Sequence, residues 1–340
     1  SVTGVQTCAL PIFRKLRDLP SVKMLSPGLC NYPTRVINID QHGRIFLCLC
    51  EAWLPWSVGH VLDFQSIDEI WRHSTAKEIA NSQNIGEYKY CDTLYCGIEK
   101  QSRQSNEILI YLGFDDSCQL TCPSCRTEKI FDKDYELKYP WIKQIVSWLD
   151  LKTNVGAVNI LIGAHGDPFA SRLYRETIAL LAQISTVPPI KFQLKTNGLL
   201  LTKYLKELDI LDQLSDLEIS IDAGTEVTYE QVRRPGRWKN LLENLDFVYE
   251  LRLNNRPFKV QANFVIQKNN YKEIPNFIDL CNKYSMSANF TLLQDWQTFT
   301  YKDHAVHLLT HPEHDQFIKV VTDPAVQPYI GGGLDRWTKS

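Results

Sequence analysis

Short apolar segments alternate with amphipathic stretches along most of the chain after residue 106. The apolar segments predict strands at residues 108–112, 158–162, 191–195, 217–221, 259–266 and 288–293. Their largely apolar character is typical of strands that are buried on both faces of a parallel sheet. A chain in which such strands alternate with helices is expected to form βαβ units with right-handed crossovers.

Helical periodicity fills the segments between these strands. Pro140 is suited to open a helix in which apolar residues recur at i, i+3, i+4 and i+7 from Ile142 onward. The stretches 237–252 and 273–284 repeat this spacing between later strands. The pattern predicts a parallel α/β sheet or a partial barrel. Of these alternatives we expect an α/β fold in which a partial parallel (β/α)6 TIM-like barrel over residues 106–325 is preceded by a small cysteine-rich α+β domain over residues 26–105.

Polar and small residues collect where the predicted strands end. The segments GAHGDPFAS, TNG and EISID follow or close the second, third and fourth strands. In parallel α/β folds, ligands bind at the C-terminal ends of the strands, where the connecting loops meet. Cysteines follow the first strand in place of the G-x-G-x-x-G turn of a dinucleotide-binding domain, which disfavours a nicotinamide-dependent dehydrogenase.

Composition and charge narrow the class of protein. The 340 residues are 44% hydrophobic and carry a formal net charge of −2, without a run of lysine or arginine suited to a phosphate backbone. No apolar run approaches the roughly 20 residues that cross a bilayer. We therefore expect a cytoplasmic protein with a sizeable core, and we expect neither nucleic acid nor a membrane as its partner.

The ten cysteines fall into tight groups, which is more typical of metal binding in a reducing compartment than of a disulfide framework. Cys8 is set apart, because residues 1–12 largely match the translation of a common sequencing-library adaptor and are predicted to be an artefact. Cys118, Cys122 and Cys125 share one predicted loop after the first strand. Structural zinc sites and ordinary ferredoxin cubanes take four ligands, so this trio leaves one position to be filled.

The spacing Cys118-x3-Cys122-x2-Cys125 after the first strand of a parallel α/β domain resembles the signature of the radical S-adenosylmethionine (SAM) superfamily. The resemblance implies that the three thiolates hold three irons of a [4Fe-4S] cluster and that the fourth iron binds the amino and carboxylate groups of SAM. One electron, from a donor such as flavodoxin or ferredoxin, would then cleave SAM to a 5′-deoxyadenosyl radical that abstracts hydrogen from a substrate.

Further matches follow in chain order and extend the resemblance over about residues 106–320. A Gly-Asp-Pro turn resembles the family's Gly-Glu-Pro turn, whose backbone receives the SAM amino group, with aspartate in place of glutamate. A Thr-Asn-Gly segment and the polar residues of EISID resemble segments that approach SAM in relatives. The SAM-binding residues that the resemblance implies are Gly166, Asp167, Pro168, Thr196, Asn197, Ser220 and Asp222.

An arginine pair follows these segments. Arg233 and Arg234 resemble an arginine-bearing stretch of the same subgroup. Arginines at helix ends that face solvent are as common, because they interact favourably with the helix dipole. We therefore assign no catalytic role to either residue.

The cysteines before the barrel form a second group. Cys30, Cys48 and Cys91-x4-Cys96, with the stretch LPWSVGHVLDFQSIDEIW, resemble a SPASM or twitch domain, the auxiliary iron-sulfur module of many peptide-modifying radical SAM enzymes. That module usually follows the barrel. The resemblance implies an auxiliary [4Fe-4S] cluster on these four cysteines, with Cys50 as a spare or alternative ligand. A four-cysteine zinc knuckle is the alternative, because thiolate sites bind either metal.

Local patterns bring these distant cysteines towards one another. Two β-rich runs around His42 and Gly43 predict a hairpin that leads to Cys48, and a helix around SIDEIWRHSTAKEIA is expected before Cys91. A small module of this kind buries little apolar surface, so metal ligation should contribute much of its folding energy.

Four histidines near the C-terminus have the spacing of metal ligands on a helix. They are His304, His307, His311 and His314, and Pro312 interrupts the segment that contains them. Because proline breaks a continuous helix, we interpret the segment as a solvated helix start rather than a metal site.

A radical SAM enzyme that acts on a peptide or protein is the function that the resemblance favours, because twitch-like modules often accompany peptide maturation in relatives. Two other classes remain open. A zinc-organised binding protein would keep the cysteines but would not need polar residues along the fourth strand. A two-cluster electron carrier would not need a substrate cavity.

Overall fold

The computed structural model describes residues 30–50, 53–92, 107–150, 156–163, 165–185, 188–254 and 258–330. Within these ranges the strands are β1 (Val36–Ile39), β2 (Arg44–Phe46), β3 (Ser57–His60), β4 (Ile108–Leu112), β5 (Val158–Ile162), β6 (Lys191–Thr196), β7 (Leu214–Ser220), β8 (Lys259–Ile266) and β9 (Ser287–Leu292). The α-helices of the same ranges are α1 (Ile67–Arg72), α2 (Ser74–Asn84), α3 (Tyr135–Asp150), α4 (Arg172–Ala182), α5 (Leu201–Leu208), α6 (Glu226–Val232), α7 (Trp238–Leu253), α8 (Ile274–Lys283), α9 (Tyr301–His304) and α10 (His314–Val321). The predicted adaptor segment at residues 1–12 lies outside the described residues.

The predicted α/β fold is confirmed. Each of the six strands expected after residue 106 overlaps one of the strands β4 to β9, and helices separate them in the expected alternation. The predicted domain boundary at residue 106 stays a prediction, because residues 93–106 are not described. None of the helices in the described part of the chain is long and apolar enough to cross a membrane.

The chain divides into two compact units, with the division inside β6. The described part of the first unit comprises the residues up to Asp116 together with 132–166 and 171–192. The second unit comprises residues 117–131, 167–170 and those from Gln193 onward. The first unit thus combines the N-terminal strands with the first strands of the predicted barrel.

Strands of the first unit lie in the order β3-β2-β1-β4-β5. β1 pairs antiparallel with β2, where Asn38 is opposite Phe46, and parallel with β4, where Val36 is opposite Leu109. β4 and β5 also pair in parallel. Apolar residues on β1 and β4 are almost fully buried, so this part of the sheet belongs to the core of the unit.

The hairpin predicted around His42 and Gly43 is confirmed as the turn between β1 and β2. Gly43 has a φ of +73°, which glycine adopts without steric cost. The carboxylate of Asp40 accepts the amides of His42 and Arg44 at 2.9 and 2.8 Å, an arrangement typical of aspartate at a turn. The turn therefore sets the register of the two strands that lead to Cys48.

Strands of the second unit lie in the order β6-β7-β8-β9, and β7, β8 and β9 pair in parallel. One face of this sheet is apolar. Phe264 of β8 packs on Phe277 of α8 with ring centroids 4.8 Å apart, and Phe290 of β9 packs on Phe264 at 5.6 Å. Burial of these rings holds α8 against the strands.

The helix predicted to open at Pro140 begins at Tyr135 and contains the proline. Its first turn is closed by the Lys138 amide, which donates to the Asp134 carbonyl at 3.0 Å. Proline removes one hydrogen bond from the second turn. Burial of Trp141 and other apolar residues on the same helix offsets that loss, because Trp141 is only 4% exposed.

The interpretation of the C-terminal histidines as solvated is wrong for two of them. α10 does begin near Pro312, but His311 and His314 are only 6% and 8% exposed. A ring nitrogen of His314 lies 3.1 Å from the carbonyl oxygen of Val306, and one of His311 lies 3.2 Å from that of Asp303. The first contact joins the loop before α10 to the first turn of that helix, and the second joins the same loop to α9.

His307 should make the stability of the protein sensitive to acid. Burial lowers the pKa of His307 from 6.5 to about 4, and its Nε2 lies 3.1 Å from the Tyr301 hydroxyl. Between these pH values the unfolded chain binds a proton that the folded chain does not, so the free energy of unfolding falls as the pH falls. In urea unfolding of the metal-free protein, His307→Gln should lose part of this pH dependence.

The exposed His42 provides the matched control. His42→Gln should keep the wild-type pH dependence, because its ring is exposed. Equal pH dependence in wild-type protein and His307→Gln would contradict the assignment.

Candidate active site

Cys118, Cys122 and Cys125 lie in the loop between β4 and α3. The Cys118 amide donates to the Ile130 carbonyl at 2.7 Å, and the Ile130 amide donates back at 3.3 Å, which forms an isolated antiparallel bridge. The amides of Cys125 and Arg126 both donate to the Cys122 carbonyl, at 2.9 and 3.0 Å. All three cysteines are free thiols. The main chain is therefore fixed on each side of the thiols.

The three thiols differ in burial and in hydrogen bonding. Cys122 is 7% exposed, Cys118 is partly exposed and Cys125 is exposed. The Leu120 amide donates to Cys118 Sγ at 3.5 Å, and Asn197 Nδ2 donates to the same sulfur at 3.8 Å. Such donors stabilise a sulfur in its thiolate form.

Burial opposes ionisation of two of these thiols. It raises the pKa of Cys118 to about 12, with Asp167 adding to the rise and Arg126 opposing it. Burial also raises the pKa of Cys122, while the charge of Arg233 lowers it. Thiolate ligands must lose their protons to bind a metal, so metal binding at these sulfurs releases protons.

The buried carboxylate of Asp167 joins the turn after β5 to the turn after β6. Its Oδ1 accepts the amides of Phe169 and Ala170 at 3.0 and 3.1 Å. Its Oδ2 accepts the Thr196 hydroxyl at 2.7 Å and the Asn197 amide at 2.8 Å. Burial raises the pKa of Asp167, and the bonds from Asn197 and Thr196 oppose that rise.

Two further contacts connect these turns to the cysteine loop. The Asp167 amide donates to the Ser117 carbonyl at 2.8 Å. The side-chain amides of Gln119 and Asn197 face each other, with N···O distances of 3.0 and 3.1 Å. Three segments that are distant in sequence therefore meet around Cys118.

The remaining predicted SAM-binding residues occupy the same unit or adjoin it in the chain. Gly166 and Pro168 flank Asp167, and Ser220 is a half-buried residue at the C-terminal end of β7. Asp222 is buried and forms a 2.6 Å ion pair with Arg233. Arg233 is therefore not a solvent-facing arginine, since its side chain is only 14% exposed.

A row of polar side chains crosses β6 to β9. Lys195 Nζ lies 3.3 Å from Glu218 Oε2, which also accepts Asn263 Nδ2 at 3.1 Å. Asn263 Oδ1 accepts Gln261 Nε2 at 3.0 Å and Asn289 Nδ2 at 2.8 Å. We call these five residues the polar ladder.

The polar ladder corrects the expectation that these strands are apolar on both faces. Phe192, Leu194, Leu217 and Ile219 point to the buried face, whereas the residues between them are partly exposed. The signal was present in the sequence as polar residues at alternate positions of KFQLK, LEIS and VQANF. Because Ser220 follows Glu218 by two positions, it lies on the ladder face.

The residues around the cysteine loop fit an iron-sulfur cluster. They supply three free thiols and N–H donors to sulfur, and the Arg233 Nε and Tyr229 hydroxyl are buried without a hydrogen-bond partner among the described residues. Across the described ranges, no three His, Cys, Asp or Glu side chains are grouped to hold one metal ion. The thiolates of a cubane bind different irons, so they need not converge on one point.

The N-terminal cysteines gather in one buried cluster of the first unit. Cys30, Cys48 and Cys50 belong to this cluster, and Cys91 packs against it. Cys30 and Cys48 are buried and Cys91 is partly exposed, whereas Cys50 is disulfide-bonded. A disulfide sulfur is not a thiolate ligand, so Cys50 is neither spare nor an alternative ligand in this state, and the expectation of reduced cysteines is wrong for it. Cys96 lies outside the described residues.

Two family models match the chain. The model of the radical SAM superfamily matches residues 114–281, and that of the SPASM iron-sulfur cluster-binding domain matches residues 30–97. The chain therefore contains a radical SAM domain, and a SPASM domain precedes it. The radical SAM domain implies a [4Fe-4S] cluster and SAM, and the SPASM domain supports an auxiliary cluster.

Individual relatives are distant. The chain is 27% identical to the GTP 3′,8-cyclase of Petrotoga mobilis over 188 residues, which are 54% of each chain, so it spans about half the length of that relative. It is similar to Streptococcus suis SuiB, with a TM-score of 0.40, 18% identity, and coverage of 78% of this chain and 58% of SuiB. It is also similar to anSMEcpe with bound AdoMet, with a TM-score of 0.38, 16% identity, and coverage of 56% and 52%.

Loss of the Asp167 carboxylate should destabilise the site. Asp167→Ala leaves the Phe169 and Asn197 amides and the Thr196 hydroxyl without their acceptor, and each buried unsatisfied group costs on the order of 1–3 kcal/mol before relaxation. We expect a loss of about 2–4 kcal/mol in the free energy of unfolding, measured by chemical denaturation, because water replaces part of the lost bonding. Asp279→Ala, at an exposed position of α8, is the control and should change stability little. Equal stability of the two variants would contradict the bracing role.

Proposed function

We propose that this protein is a radical SAM enzyme that cleaves SAM reductively at a [4Fe-4S] cluster held by Cys118, Cys122 and Cys125. The observation that carries the proposal is the bracing of the loop that holds these thiols to turns that resemble the SAM-binding segments of the family. When bound, the cluster and SAM supply a carbon-centred radical that removes hydrogen from a substrate.

The protein groups orient SAM in this proposal. Asp167 holds the turn whose main chain, with Gly166 and Pro168, receives the SAM amino group. Thr196 and Asn197 contribute mainly through the position of their turn. The Thr196 hydroxyl and the Asn197 main-chain amide both already donate to the Asp167 carboxylate. Ser220 is the proposed direct contact, since no described residue bonds to its hydroxyl and its face of β7 is partly open.

We propose a peptide or protein as the substrate class. The polar ladder carries three carboxamides and one lysine–glutamate pair, so it offers both donors and acceptors without net charge. These groups match the amides of a peptide chain. The GTP named for the Petrotoga relative is a poorer fit, because Lys195 is already paired with Glu218 and the ladder has no unpaired cation for a triphosphate.

The N-terminal unit is proposed to hold an auxiliary [4Fe-4S] cluster. Cys30 and Cys48 share one buried cluster against which Cys91 packs, and these three residues with Cys96 form the proposed ligand set. A zinc ion on the same cysteines is the alternative. Electrons are proposed to come from a donor such as flavodoxin or ferredoxin in the cytoplasm.

Formation of 5′-deoxyadenosine tests the proposal. Protein reconstituted anaerobically with iron and sulfide, then reduced with dithionite, should form 5′-deoxyadenosine from SAM, detected by chromatography. Changing Cys118, Cys122 or Cys125 to alanine should reduce product to the level of the protein-free control, because each iron needs its thiolate. Cys281→Ala is the matched control and should remain active, since Cys281 is an isolated core residue of α8.

Measuring iron and zinc per chain distinguishes an auxiliary iron-sulfur cluster from a zinc ion. About eight irons per chain would support two cubanes, whereas about four irons and one zinc would keep the radical enzyme and reject the auxiliary cluster. A wild-type protein that holds both clusters but forms no 5′-deoxyadenosine would contradict the proposal and favour a two-cluster electron carrier.

A further inference from the structure

A buried ion pair lies beside one of the three cysteines. Arg233 Nη2 is 2.6 Å from Asp222 Oδ2, and the two side chains are 14% and 6% exposed. The second terminal nitrogen of Arg233, Nη1, is 3.9 Å from Cys122 Sγ, within reach of a hydrogen bond to sulfur. The guanidinium therefore bridges a carboxylate and a thiol at the candidate site.

Asp222 is held in a position that fixes the guanidinium. Its Oδ1 accepts the Val265 amide at 2.8 Å, and its carbonyl accepts Asn270 Nδ2 at 2.9 Å. Asp222 has a φ of +59°. This backbone conformation is unfavourable for residues other than glycine and persists only when surrounding contacts impose it. Both oxygens of the carboxylate therefore have partners: Oδ2 pairs with Arg233, and Oδ1 accepts a hydrogen bond from the main chain of β8.

Main-chain contacts fix Arg233 relative to the cysteine loop independently of its side chain. The Thr121 amide donates to the Arg234 carbonyl at 2.6 Å, and the Gly236 amide donates to the Arg233 carbonyl at 2.7 Å. A Cβ at Gly236 would lie 2.7 Å from that carbonyl oxygen, so the turn requires glycine. Thr121 directly precedes Cys122, and the thiol and the guanidinium are consequently parts of one braced arrangement.

Two donors beside this pair have no acceptor among the described residues. They are the Arg233 Nε and the Tyr229 hydroxyl, both buried. Buried donors without a partner are rare and costly in folded proteins. Their place next to a proposed cluster ligand points to an acceptor that the bound cluster or SAM supplies.

We propose that Arg233 is a positioning residue that raises the reduction potential of the SAM-binding cluster through Cys122, with Asp222 as its anchor. Hydrogen bonds to cluster sulfurs and nearby positive charge favour the reduced cluster, which carries one more electron and hence one more negative charge. The electron comes from the external donor. The inference rests on the proposed function, because it requires the cluster on Cys118, Cys122 and Cys125.

A redox titration of the reconstituted protein, followed by electron paramagnetic resonance in the absence of SAM, tests the role of Arg233. Arg233→Gln should lower the ratio of reduced to oxidised SAM-binding cluster at least tenfold at a fixed solution potential, equivalent to about 59 mV for a one-electron couple. Arg233→Lys should restore part of the ratio, because lysine keeps the charge and loses the planar fork. Arg234→Gln is the matched control and should titrate as wild type, since its side chain is exposed.

A double variant controls for the destabilisation that Arg233→Gln alone is expected to cause. Arg233→Gln leaves the Asp222 carboxylate buried and unpaired, which is destabilising, so the charge-neutral Asp222→Asn/Arg233→Gln protein is titrated beside it. A lowered ratio in the double variant supports the proposal, because the thiolate still lacks its donor. A wild-type ratio in an iron-loaded double variant overturns it. In that case 5′-deoxyadenosine formation by the wild type would leave the proposed function intact, whereas its absence would reject the proposed function separately.

Discussion

The hydrogen bonds accepted by the buried Asp167 carboxylate hold the candidate site together. Each of its oxygens binds donors from a different side, and the Asp167 amide in turn binds the main chain next to Cys118. Removing a charge from water is expensive, and only a nearly complete set of donors offsets the cost. One buried carboxylate thus connects loops that come from three successive strands of the fold.

A second buried carboxylate has a parallel role on the other side of the cysteine loop. Asp222 binds the β8 main chain and Arg233, and the Arg233–Arg234 segment binds the loop that carries Cys122. In both cases a buried aspartate positions a neighbouring segment. Hydrogen-bonded segments therefore hold the cysteine loop next to both Cys118 and Cys122.

The sequence was sufficient to predict the fold and the placement of the cysteine loop, because apolar segments of strand length and helical periodicity are local signals. The polar ladder was missed although alternate positions of these strands are polar, because the overall composition of the strands is largely apolar. The sequence also left the environment of Arg233 open, because an ion pair with a residue eleven positions away depends on how the chain returns after α6. Pro140 and the buried His311 and His314 show the same limit, since tertiary packing overrode a local preference.

The central claim is that one iron of the cluster on Cys118, Cys122 and Cys125 has no protein ligand and binds SAM. Electron paramagnetic resonance of the reduced protein, with and without SAM, tests it. A variant with all three of these cysteines changed to alanine provides the spectrum of the auxiliary cluster alone. Subtracting that spectrum from the wild-type spectrum leaves the signal of the three-cysteine cluster. The account predicts that SAM changes this signal and leaves the spectrum of the variant unchanged, because only the three-cysteine cluster has an iron free to bind SAM. A three-cysteine cluster that is present and reduced, but whose spectrum SAM does not alter, would contradict the account.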